Sequence, residues 1–398
     1  MLLELDLVQT LTLGCLSLLL GMGLVRLLPI LARYNLPPPV IGGLVVAAVS
    51  WFLHAGELAT LRFDTSLQGP MMTAFFTAIG FGASVDLLRR GGTQMLLFLA
   101  LAALLGLLQS AAGVLVAVGF GQAPILGVLM GTATMAGGPA TGLAFAPLFE
   151  QAGVAGAEGL AIASAMAGIV LGGLLGGPLA TRLMQRHGLQ GGVAGVSQAA
   201  AASANPVDEE EGSLRNTVHA LTTLLLAMWL GQGLGAWWSS AGVTLPGYVG
   251  AMLVGALWRN LSDATGWVRP PMPALSRIGT LCLTLFLAVA LMNLKLWELA
   301  ALALPLLVNL VVQAIMVWLF AGWVLFRLVG RDYDAAVMCG GFSGFMLGTT
   351  ANAMAVMRTL EDRYGLAPRA FLVVPVVGAF FIDFTNALTI TAFLNLLD

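Results

Sequence analysis

Between Leu7 and Leu20 the chain carries no charged residue, and apolar runs of similar character recur along the whole of its 398 residues. Crossing ~30 Å of hydrocarbon as a helix takes roughly 20 apolar residues. In lipid every backbone polar group must be satisfied internally, which a helix does within its own segment. Composition agrees: charged residues make up 9%, against roughly 25% in a soluble domain. The first run has no basic residues ahead of it and no small-residue cleavage site, so it reads as a span and not a signal peptide. The expected fold class is an all-α polytopic membrane protein. The formal charge of −2 says little about partners, because most charges fall in loops; the bilayer is one partner, and no nucleic acid is expected. Cys15, Cys282 and Cys339 are scattered in apolar surroundings without metal-ligand spacing.

Ten spans are predicted: 7–31, 39–54, 70–88, 95–120 and 159–183, then 214–238, 245–260, 274–294, 299–328 and 367–396. Between the fourth and fifth span of each half lies an apolar stretch broken by small residues. The first is Met135-Ala136-Gly137-Gly138-Pro139-Ala140-Thr141-Gly142, within about 124–150. The second runs from Gly340 to Asn352, within about 334–357. Irregular backbone at membrane depth is tolerated only where protein covers it or it lines a wet cavity. Paired interruptions in corresponding places of two halves point to a carrier's binding site.

The halves also share residues. Pro38-Pro39-Val40-Ile41-Gly42-Gly43 lies 208 positions before Pro246-Gly247-Tyr248-Val249-Gly250-Ala251, and Val128, Gly131 and Thr141 lie 209 before Val337, Gly340 and Thr350. Five spans per copy force the second copy to run upside down. The expected organisation is an inverted repeat over 1–184 and another over 214–398, each of five transmembrane helices with a re-entrant hairpin. Residues 185–213, rich in Gly, Ala and Ser and carrying Asp208-Glu209-Glu210-Glu211, read as a flexible cytoplasmic linker. With the N-terminus outside, 15 of the 17 basic residues fall on or beside the inner face, leaving Arg62 and Lys295 outside. The positive-inside rule then puts both termini outside.

Between the hairpin tips, Gly137, Gly138, Thr141, Gly142, Ser343, Gly344, Gly348, Thr349, Thr350 and Asn352 offer free backbone groups and neutral hydrogen-bonding side chains. Half-helix N-termini aimed there favour a carboxylate, and unwound carbonyls favour a cation. Asp383 is the only acid well inside a predicted span. A charge there costs several kcal/mol, so it marks an ion or proton pathway, the other reading being an acid hydrogen-bonded to a neighbouring broken helix. Asn386, one turn on, and Thr134 are the other expected ligands of a hard cation, sodium or a proton site being equally compatible with the residues. Gln109, Asn309 and Gln313, polar within long spans, either line a cavity or bond helices together. Gly172-Gly173 and Gly176-Gly177 read as close-packing residues.

Enzyme chemistry is not expected. Gly341-Phe342-Ser343-Gly344 fits the G-x-S-G of intramembrane serine proteases, but His54, His187 and His219 all precede it and lie at span ends or in the linker. A second deep acid for an aspartyl protease is missing, as is any Walker A sequence. A passive channel is the remaining alternative class.

Met292-Asn293-Leu294-Lys295-Leu296-Trp297-Glu298-Leu299-Ala300, Tyr333-Asp334-Ala335-Ala336-Val337 and the run from Ala370 to Asp383 resemble the bacterial sodium/glutamate symporters, as do Ala74–Gly80 and Val170–Pro178. The similarity covers nearly the whole chain. It implies ten spans with two re-entrant hairpins, a homodimer in the bacterial inner membrane, and sodium-driven uptake of glutamate. Glutamate-carrying members typically read S-G-G-H-G-T-G at the first tip, where Ala136–Gly142 has neither Ser nor His. At the second they read G-H-C-G-F-G-L-G-A-T-P-T, where Phe342, Ser343, Met346 and Ala351-Asn352 replace His, Cys, Gly and Pro-Thr. The expected function is sodium-coupled import of L-glutamate or a closely related small carboxylate by alternating access, with another organic anion as the alternative cargo.

Overall fold

The computed structural model describes residues 2–33, 36–90, 92–189, 214–240, 247–266, 269–294 and 303–397. Nearly all of the expected linker, together with Lys295 and most of the Met292–Ala300 stretch, lies outside the described residues.

A short strand β1 (Leu2–Leu5) leads into α1 (Leu7–Leu27), which Asp6 caps by accepting from Gln9 N. There follow α2 (Pro29–Arg33), α3 (Pro38–Ala55), β2 (Thr60–Phe63), α4 (Gln68–Gly82), α5 (Val85–Arg90), α6 (Gly92–Gly119), α7 (Pro124–Val128), α8 (Gly138–Gln151) and α9 (Ala157–His187). The second half runs α10 (Leu214–Ser240), α11 (Gly247–Thr265), α12 (Met272–Met292), α13 (Ala303–Leu319), α14 (Phe326–Val329), α15 (Tyr333–Met346), α16 (Thr350–Tyr364), α17 (Pro368–Val376) and α18 (Ile382–Leu397). The strands were not expected: β1 and β2 pair in parallel, Leu2 opposite Thr60. Four-residue strands carry no periodicity of their own and form only once the chain brings them together.

Eight helical stretches are long and apolar enough to cross a membrane: α1, α3, α6, α9, Leu214–Trp238 in α10, α12, Ala303–Val329 and Pro368–Leu397. The two other expected spans differ. With 15 residues, α4 reaches about 22 Å at 1.5 Å per residue, and α11 ends in a polar turn where Arg259 pairs with Asp263 at 2.8 Å. These two helices lie against each other where glycine permits it. A Cβ on Gly80 would sit 2.1 Å from Met252 O, and one on Gly255 would sit 2.8 Å from Thr77 O.

Helix α15 is apolar on every side and buried along almost its entire length, as an all-round apolar helix must be. Its packing corrects one expectation. Gly340–Met346 is regular helix, and the second interruption is confined to Leu347, Gly348 and Thr349. The glycines stay helical because α9 supplies matching gaps: Cβ atoms on Gly172 and Gly176 would lie 3.0 Å from Gly344 O and 2.6 Å from Gly340 O. Gly173 and Gly177 face open space. The first interruption also falls earlier than expected. The chain widens to a π turn over Leu129–Ala133, and Gly131 (φ −88°, ψ −128°) leaves helical geometry. Pro139 does not break a helix; it stands in the first turn of α8, where its missing N–H costs nothing.

Candidate functional site

Each interruption leaves carbonyls without helical partners, and buried amides from the opposite half of the chain take them up. On α6, Gln109 Nε2 donates to Met346 O at 2.8 Å. On α13, Asn309 Nδ2 donates to Met130 O at 2.7 Å, and Gln313 Nε2 donates to Gln109 O at 2.9 Å and to Asn309 Oδ1 at 3.3 Å. All three amides are fully buried. They therefore fasten the interruptions to the long helices, although Oε1 of both glutamines has no described partner.

The two interruptions meet. Gly138 has φ +63°, a conformation that suits glycine, and a Cβ there would lie 3.3 Å from Gly348 O and 3.4 Å from the Thr349 methyl. Gly138 opens α8, and Thr349 caps α16 by accepting from Asn352 N at 3.4 Å. Two helix N-termini thus abut, each bearing roughly half a positive charge. Beside them Thr141 Oγ1 and Asn352 Oδ1 are buried without a described partner. A buried polar atom left unpaired costs about 1–3 kcal/mol, so these oxygens are poised for a ligand or water.

On the carbonyl side of the first interruption, Asn386 of α18 reads Thr132 twice. Asn386 Oδ1 accepts from Thr132 Oγ1 at 2.8 Å, and its Nδ2 donates to Thr132 O at 3.1 Å. The same amide sits over Gly137, where a Cβ would come 2.5 Å from Asn386 Nδ2. Thr134 faces elsewhere: its hydroxyl bonds Leu129 O and Ser164 Oγ, each at 2.8 Å. Its methyl backs Gly142 at 2.9 Å from a Cβ there. Asp383 is half-buried one turn before Asn386. Its carboxylate lies within electrostatic reach of the Tyr248 phenol, which is stacked on Phe76 at 4.1 Å with its hydroxyl unpaired among the described residues.

The second interruption is held from two sides. Asn352 Nδ2 donates to Ile169 O at 2.6 Å, and Thr350 Oγ1 donates to Gly378 O at 2.6 Å. Gly378 lies in the π turn Val377–Phe381 that follows α17 and its Pro375, and such turns recur at functional sites. Ser343 and Gly344 are not part of this meeting point. Ser343 Oγ is spent on Cys339 O at 3.0 Å, and Gly344 packs on Ala353. Phe342 lies among Phe98, Phe320 and Phe345 with ring centroids 5.3–6.0 Å apart.

Thus Gly137, Gly138, Thr141, Gly348, Thr349, Thr350, Asn352 and Asn386 cluster around one junction, with Gly142 and Thr134 behind it. Sequence reasoning missed Thr132 and Tyr248. Thr132 directly follows the glycine that bends the chain, which was the available signal. Among the described residues no group of three or more His, Cys, Asp or Glu side chains could hold a metal ion.

The family model described as sodium/glutamate symporter matches residues 3–366. The sodium/glutamate symporter of Escherichia coli (strain K12) is 39% identical over 394 residues, 99% of this chain and 98% of that protein. The protein of the same name from Haemophilus influenzae is 37% identical over 382 residues, 95% of each chain. With matches of this extent the chain belongs to the sodium/glutamate symporter family.

Proposed function

We propose that this chain is a sodium-coupled secondary carrier that imports L-glutamate, or a closely related small carboxylate, by alternating access. The observation that carries this reading is the abutment of the α8 and α16 N-termini at Gly138 and Thr349. Two like dipole ends repel, and an anion between them relieves the repulsion. Substrate contacts come from the backbone of Gly137, Gly138 and Gly348 and from Thr141, Thr350 and Asn352. Sodium binds on the carbonyl side, with Asp383, Asn386 and Thr132 as its ligands; Thr132 takes the place expected of Thr134, whose hydroxyl is engaged elsewhere. Hard cations take oxygen ligands of this mixed kind.

The architecture that fits is two inverted repeats, 1–184 and 214–398, each of five spans with a re-entrant hairpin. It is supported by the crossed bonding: Gln109 of the first half reaches the second interruption, while Asn309 and Asn386 of the second half reach the first. The protein sits in the bacterial inner membrane as a homodimer, with both termini outside and the linker 185–213 in the cytoplasm, the orientation the distribution of its 17 basic residues favours. Each net positive charge entering gains ~2.3 kcal/mol per 100 mV of membrane potential.

One observation favours a different organic anion as cargo: Pro139 stands in the first turn of α8 where glutamate carriers place His, so this tip offers no imidazole. Phe342 bears less on the choice, since its ring packs away from the junction. Uptake into proteoliposomes decides between cargoes. An inward sodium gradient should drive accumulation of labelled L-glutamate above equilibrium. Accumulation of another carboxylate but not glutamate would move the assignment, and gradient-independent flux would make the protein a channel.

A further inference from the structure

A cavity ringed by arginines lies far along α9 from the junction and has no part in the transport reading. Its volume is about 620 Å³, and it forms where the last turns of α9 face α14 and the widened turn Phe320–Leu325. Arg182 and Arg186 line it from one side and Arg327 and Arg331 from the other, and no carboxylate lines it. None of the four has a carboxylate partner among the described residues. The acid next in sequence, Asp332, is engaged by Arg369 at 2.5 Å and by Ala335 N at 2.9 Å. Four cations around one cavity repel one another unless an anion joins them.

The remaining wall is aromatic and apolar. Trp318 and Trp323 contribute to it, and the Arg327 guanidinium lies 5.9 Å from the Trp323 ring centroid. Tryptophan and arginine together are the usual furnishing of a membrane–water boundary. From the cavity an exposed apolar row of Leu319, Ile315, Val311 and Leu307 climbs α13 at four-residue spacing. A soluble anion has no use for such a row; an acyl chain does.

We propose that this cavity binds an anionic phospholipid, with its phosphate among Arg182, Arg186, Arg327 and Arg331 and one acyl chain along the α13 row. Basic pockets between membrane helices suit acidic headgroups. The test is lipid binding to the purified full chain, counted by native mass spectrometry against phosphatidylglycerol and phosphatidylcholine. Wild type should retain phosphatidylglycerol preferentially. At about fivefold per arginine, the double variant Arg186→Gln, Arg327→Gln should bind it roughly 30-fold more weakly. Phosphatidylcholine binding and the gel-filtration profile should not change, and Arg186→Lys, Arg327→Lys should keep most of the affinity. Equal retention of the two lipids, or an unaffected glutamine variant, would overturn the proposal. So would displacement by glycerol 3-phosphate, which would mark a soluble anion site. Neutralising Asp208, Glu209, Glu210 and Glu211 tests whether the chain's own acidic run occupies the cavity instead. Lipid binding that appears only in that variant would make the run the occupant and also refute the lipid.

Discussion

Removing the hydroxyl of Thr132 separates a sodium site on the carbonyl side of the junction from a purely structural bond. Thr132 and Asn386 are both buried, and they exchange two hydrogen bonds of 2.8 and 3.1 Å. Thr132→Val keeps the shape of the side chain but deletes one donor and one candidate cation ligand, and it strands Asn386 Oδ1. The cost of such a stranded acceptor is about 1–3 kcal/mol, equivalent to about 5- to 150-fold in an equilibrium constant. The account assigns this loss to the sodium-bound state, so the half-saturating sodium concentration for glutamate binding should rise by that factor. Affinity at saturating sodium should stay near the wild-type value. A cycle with Asn386→Ala should show coupling, because the two residues share the ligand and the bonds. Equilibrium binding of labelled glutamate to purified protein over a sodium titration gives both quantities. Unchanged sodium dependence with weakened glutamate affinity at all sodium concentrations would refute the assignment and move the pair to the substrate site.

At the meeting of the interruptions, Thr141→Val and Asn352→Ala should each raise the half-saturating glutamate concentration about 5- to 150-fold, measured as uptake at matched protein level. Ser343→Ala should leave it within about twofold, since its hydroxyl already serves Cys339 O. Gly176→Ala should lower thermal stability in detergent by about 1–3 kcal/mol through overpacking against Gly340 O, while Gly177→Ala, facing open space, should be neutral. Single cysteines at Thr60 and Ser203 should react with an impermeant reagent from opposite sides of the membrane; reaction from one side would contradict the inverted topology.

Much of this was legible in the sequence, for identifiable reasons. Eight of the ten expected spans followed from uninterrupted apolar runs, and both interruptions fell inside the ranges expected for them. Their details did not follow. Gly137-Gly138-Pro139 reads as a break, yet Pro139 begins a helix and Gly340–Met346 continues one. Whether glycine packs or breaks depends on what faces it, here Gly172 and Gly176 of α9. The partner of Asn386 lies 254 residues away, and the one local sign favouring Thr132 over Thr134 is its place directly after Gly131, where the chain bends. Gln109, Asn309 and Gln313 stood out as polar residues in long spans, but only their bonds to Met346, Met130 and each other reveal that they fasten the interruptions.

In the proposed coupling, an anion between two helix N-termini binds well only after a cation has settled near Asp383. Coupling of this kind is reciprocal, each ligand raising the affinity of the other by the same factor. It is tested most directly by measuring glutamate affinity at zero and at saturating sodium in wild type and in Asp383→Asn. The account predicts a large sodium enhancement in the wild type and almost none in the folded, membrane-inserted variant. Full enhancement in Asp383→Asn would contradict it.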